Sequence, residues 1–157
     1  MREQLVSCPE SLSGVNMDNR KEIIEFVRGI LGCQCPDEVF EQIESHVGDR
    51  FGNTYLQTMT IGERLLIYIW PTNDPSIVKV HLPGMLFKGM KERDQRGLNR
   101  FRAVIAADDV EPIGAIAEEI FRDFRDRDER VHLHVVDAHD CPKETDCALF
   151  NPSFSVQ

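Results

Sequence analysis

Between Phe101 and Val136 the chain reads as strand, helix, strand, and this run constrains the fold more than any other part of the sequence. FRAVIAA, residues 101–107, is a short apolar stretch of the kind that forms a buried strand. From Pro112 onward Ile113, Ile116, Ala117, Ile120, Phe121 and Phe124 recur at the spacing of one helix face, and RDFRDRDER closes that helix with charge. VHLHVV, residues 131–136, returns to strand. A connection this long joins two strands as a right-handed crossover, with the strands parallel.

Upstream, TYLQTMT and RLLIYIW flank IGE and predict an antiparallel hairpin, with RLLIYIW apolar on both faces as a central strand would be. SIVKVHL, after the PTNDP turn, alternates and reads as another strand, with Lys79 and His81 on one face. Residues 83–99 hold three glycines and many charges without a sustained period, so a long loop is expected.

Nearer the N-terminus, Asn19 and Glu22 make a capping box ahead of Ile23, Phe26, Val27, Ile30 and Leu31, with Gly32 as the stop. Pro36 suits a first helical position, and Val39, Phe40, Ile43 and Val47 give a second stripe. Two helices joined by GCQC predict a tight helical hairpin.

The fold expected is an α/β (α+β) two-layer sandwich in one domain over residues 1–157: an N-terminal helical hairpin and a mixed sheet of about five strands with a β-α-β crossover. Residues 1–18 read as a flexible leader and 141–157 as a loosely ordered tail.

Charge narrows the function. Twenty-seven acidic against 18 basic side chains leave a net charge of −9, a field that repels phosphate backbones and disfavours nucleic acid. No apolar run approaches the roughly 20 residues of a membrane-spanning helix, so no membrane association is expected. The first residues lack the apolar core of a secretory signal, which makes the reducing cytoplasm the expected compartment. The odd cysteine count, five, agrees with thiols that are not all paired.

In LGCQCPDEVF, Cys35 falls at the predicted N-cap of the second helix, where backbone amides and the helix dipole favour a thiolate, although Asp37 and Glu38 oppose it. One spacer residue also permits a disulfide between Cys33 and Cys35. Cys141, Cys147 and His139 follow the last strand; if the tail folds back, they and the first pair offer ligands for zinc or an iron–sulfur cluster. Against this stands the plainer reading of a buried small residue, an exposed cap and an idle tail thiol.

His132 and His134 lie two apart on one strand and so share a face, opposite Val131, Leu133 and Val135. With Asp137 they form a second candidate metal set. HLHVVDAHD is similar to the His-x-His-x-Asp-His signature of metallo-β-lactamases, but Asp137 falls one residue late and Ala138 separates it from His139. That family's chemistry is not implied. Polar outward residues on a half-exposed strand are the plainer and commoner reading of the pattern.

Lys88, Lys91, Arg93, Arg96, Arg100 and Arg102 gather a third of the positive charge into residues 88–102. Guanidinium forks suit carboxylate or phosphate, so the first five are anion-binding candidates; pairing with the chain's own acids is the commoner use of such a run. There is no phosphate-binding glycine loop and no Gly-x-Ser-x-Gly elbow. The leading expectation is a small thiol-based metal-binding or redox protein using Cys33 and Cys35. The alternative is a binding or assembly module whose basic loop grips an acidic protein partner, an anionic ligand or a second copy of the chain.

Overall fold

The computed structural model describes residues 17–51 and 54–142. Helix α1, Met17–Glu25, continues as one π-helical turn, Phe26–Ile30, and ends at Gly32 with φ +74°. A short 3₁₀ turn, Asp37–Glu41, leads into strand β1, Ile43–Phe51. Strands β2, Thr54–Ile61, and β3, Leu65–Pro71, come next, then helix α2, Pro75–Gln95. Strand β4, Arg100–Ala107, helix α3, Val110–Asp123, and strand β5, Val131–Asp137, complete the order.

The five strands form one mixed sheet in sequence order, antiparallel from β1 to β3 and parallel from β3 to β5. This is the α+β sandwich that the strand–helix–strand run implies, with two crossovers rather than one. The β2–β3 hairpin turns at Gly62 and Glu63, both at positive φ, and a Cβ at Gly62 would strike the backbone of Val39.

Alternation along the strands feeds two cores. Leu66, Tyr68 and Trp70 of β3 with Phe101, Ala103 and Ile105 of β4 face α2 and α3. Leu65, Ile67 and Ile69 with Val104 and Ala106 face the other way, onto Ile23, Phe26, Val27 and Leu31 of the N-terminal helix. β3 is buried on both faces, as its sequence predicts.

Two expectations give way here. SIVKVHL and the supposed loop 83–99 are one helix, α2, begun by Asp74, whose side chain accepts from the Ser76 amide at 2.9 Å, with Pro75 at the first helical position. Val78, Leu82, Met85, Leu86, Gly89 and Arg93 make its buried stripe, and the helix passes through Pro83, which is exposed. At Gly89 the absent side chain admits the ring of Phe101, so helix and sheet meet closely.

The predicted helical hairpin is also replaced. Its second stripe divides into the 3₁₀ turn and β1, where Ile43 and Ser45 are buried while Glu44 and His46 face out. The physical reason is that β2 has an edge to fill: an unpaired row of backbone donors and acceptors beside a hydrophobic strand favours another strand. Among the described residues α1, its π-helical turn and the 3₁₀ turn therefore cover the second face, and helices lie on both sides of the sheet. The sheet still has five strands because β1 takes the place of SIVKVHL.

Among the described residues, no helix is long and apolar enough to cross a membrane. The leader and tail expected at 1–18 and 141–157 lie outside the described residues except at 17–18 and 141–142.

Candidate functional site

Cys33 and Cys35 form a disulfide, with Cα atoms 5.6 Å apart. The Cys35 placement differs from the sequence expectation: the following helix is a five-residue 3₁₀ turn whose N-cap is Pro36. Activation by a helix N-terminus therefore does not apply. Instead Arg28 holds the turn, one of its nitrogens donating to the Cys35 carbonyl at 2.8 Å and to Asp37 at 2.6 Å, while its guanidinium lies over the Phe40 ring. Asp37, whose charge would oppose a thiolate, is thereby paired. Both cysteines are half-buried and Gln34 between them is exposed.

The disulfide lines a cavity of about 430 Å³. Arg64, at the turn into β3, and Asn99, Arg100 and Arg102, at the start of β4, line it too. His132 of β5 joins them because Arg102 and His132 are paired in register. Among the described residues, no acidic side chain lines this cavity.

The two sheet arginines make no carboxylate contact among the described residues. Arg100 contacts Nε2 of His132 at 3.4 Å, and Arg102 contacts Nε2 of His134 at 2.9 Å and donates to the Leu31 carbonyl at 3.0 Å. A guanidinium can only donate, so Nε2 of each imidazole accepts and the proton sits on Nδ1. Nε of Arg102 is buried without a hydrogen-bond partner among the described residues. Burial, and then neighbouring Arg100, lower the Arg102 pKa. Burial and the two arginines lower His132; burial, Arg102 and His132 hold His134 down to about 4.

His132 and His134 thus share a face, as their spacing predicts, and arginines already engage them. Asp137 falls on the opposite face of β5 by alternation and is joined to His139, accepting from its amide at 2.8 Å and contacting Nδ1 at 2.9 Å. The pairing lowers the Asp137 pKa and raises that of His139. Cys141 is a free, half-buried thiol that burial and two nearby aspartates push up to about 12. It follows Ala138 at the carboxyl edge of the sheet, whereas the disulfide lies at the amino end of β4. Among the described residues no three His, Cys, Asp or Glu side chains are gathered to hold a metal ion, and Cys147 lies outside them.

The basic run is engaged with the protein itself. Arg93, 1% exposed, grips Asp128 through both nitrogens at 3.0 and 2.7 Å and also reaches Asp94. Arg96 pairs with Glu92 at 2.7 Å and donates to Thr60. Lys88 lies near Glu92 and Tyr68, which hydrogen-bonds Glu92; Lys91 is solvent-exposed on the same helix. Of the five anion-binding candidates only Arg100 reaches the cavity. No sequence spacing marks Arg64 and His132 as anion partners, since only the β3–β4–β5 register brings them together.

Fold and site together define a class: a mixed-sheet α+β protein with a Cys-x-Cys disulfide set in a cationic, acid-free pocket. No protein-family model, curated protein or solved structure matches the chain.

Proposed function

We propose that the protein is a thiol–disulfide redox protein working through Cys33 and Cys35. The observation that carries this reading is the placement of their disulfide, half-exposed in a cavity lined by Arg64, Arg100 and Arg102. Cationic surroundings favour the thiolate, which is both the attacking and the leaving group in exchange.

The reaction balances as follows. A thiolate of a partner attacks one sulfur of the disulfide; the Cys33–Cys35 bond breaks as a mixed disulfide forms, and the other cysteine leaves as thiolate. A second partner thiolate then attacks the mixed disulfide and frees the first cysteine. Two electrons and two protons pass from two thiols to the pair, and the partner departs as its disulfide.

A structural role supports itself less well. The pair closes a loop of three residues, which in the chain-entropy account contributes only about 1–2 kcal/mol, whereas both faces of the sheet carry extensive apolar cores. In a reducing compartment, a disulfide of this kind is a transient working state.

Thiol titration of the native protein before and after dithiothreitol, together with the kinetics of its reduction, tests the reading. Two additional reactive thiols, absent from the Cys33→Ser/Cys35→Ser variant, are expected. A disulfide that resists dithiothreitol in the folded protein sinks the proposal.

A further inference from the structure

Three arginines elsewhere in the fold have carboxylate partners. Arg28 meets Asp37, Arg93 meets Asp128 and Arg96 meets Glu92. Arg102 is different. Half-buried, it touches among the described residues only a carbonyl oxygen and a neutral imidazole, and one of its nitrogens is buried with no partner there. A buried charge without a counter-charge is destabilising, and in a chain of net charge −9 a carboxylate partner is not scarce.

Arg100 stands two residues earlier on the same face of β4, and Arg64 lines the same cavity from the turn into β3. Three guanidinium groups around an acid-free recess repel one another, and an oxyanion relieves that repulsion while occupying their forks. At about 430 Å³ the cavity is within the size range of small-molecule sites and much larger than an inorganic anion needs. Half-buried Val39, exposed Pro36 and the half-buried disulfide supply an apolar wall beside the arginines, with Ile61 and Leu65 buried behind it.

We infer that this cavity binds a small organic acid, its carboxylate or phosphate held by Arg100, Arg102 and Arg64 and its apolar body resting on Val39, Pro36 and the disulfide. His132 adds a neutral imidazole whose ring can share the oxyanion's hydrogen bonds. The inference stands without the redox reading, because binding is measured at equilibrium and requires no exchange of sulfur.

Calorimetric titration of the full chain with hexanoate, hexanamide and inorganic phosphate tests it. Hexanoate is expected to saturate one site, hexanamide to bind at least about tenfold more weakly for want of charge, and phosphate more weakly than hexanoate for want of a body. Arg102→Gln is expected to weaken hexanoate about tenfold or more. Because Arg102 also supports the fold, Arg64→Gln, at an exposed position, provides a second variant expected to weaken hexanoate severalfold. Hexanoate binding is read without reductant and the thiols released by dithiothreitol are counted separately, so failure of this inference and failure of the redox reading are distinguishable. Equal affinity for hexanoate and hexanamide, unchanged affinity in both arginine variants, or saturation by phosphate but not by hexanoate would each overturn the inference.

Discussion

Arg102 contacts Nε2 of His134 at 2.9 Å across the β4–β5 pair, and this contact leaves the imidazole no room for a second proton. In an unfolded chain histidine takes up its proton near 6.5, whereas in the fold His134 stays neutral until about 4. The unfolded state therefore binds more protons across that window. Stability is expected to be unaffected by this group above pH 6.5 and to fall as pH drops toward 4, by up to about 3 kcal/mol. Carboxylates with lowered pKa act in the same direction, so the measurement is the difference between wild type and His134→Gln in urea midpoints at pH 7 and 4.5. Parallel losses in the two proteins would remove the claim.

Arg93 and Asp128 hold the end of α2 to the segment before β5, and Arg93 is among the largest fully buried side chains. Removing the partner of a buried charge is more damaging than the net worth of the pair. Asp94 remains beside Arg93 and the Asp128 side chain is 37% exposed, so Asp128→Ala is expected to cost about 2 kcal/mol, below the range for a fully buried pair. Denaturant unfolding at pH 7 reads this directly, and a change within error would show that Asp94 suffices.

Gly89 faces the ring of Phe101, and a methyl group there overlaps the ring atoms. Gly89→Ala ordinarily favours a helix, yet here it forces α2 from the sheet. A loss of about 1–3 kcal/mol is expected, and the double variant Gly89→Ala/Phe101→Leu is expected to recover part of it. Stabilisation by the single change would contradict the close approach.

Reduction of Cys33–Cys35 opens only a three-residue loop, so the reduced protein is expected to stay folded with a loss of about 1–2 kcal/mol. Near-ultraviolet circular dichroism with and without dithiothreitol checks this. Collapse of the spectrum on reduction would identify the bond as a structural staple.

Periodicity made β2, β3, β4, α3 and β5 legible, because each keeps one pattern over its length. It failed where two patterns overlap. Val39, Phe40, Ile43 and Val47 satisfy a helix stripe, but Ile43, Ser45 and Val47 equally satisfy a strand, and the open edge of β2 decided between them. In α2, β-branched residues and Pro83 disguised a helix whose buried stripe only emerges when residues 75–95 are read as one element.

The sequence by itself determined the layered α+β architecture, the shared face of His132 and His134, and the proximity of Cys33 to Cys35. These depend on separations of a few residues or on one crossover, and local geometry dictates them. Which charges find partners was settled only by the tertiary structure. The run from Lys88 looked like one basic patch, yet a helix turns Arg93 inward to Asp128, while the pleat of β4 sends Arg100 and Arg102 to the opposite face beside the disulfide. Charge pairing across 35 residues, as for Arg93 and Asp128, follows from strand order and register, and no short stretch of chain encodes those alone.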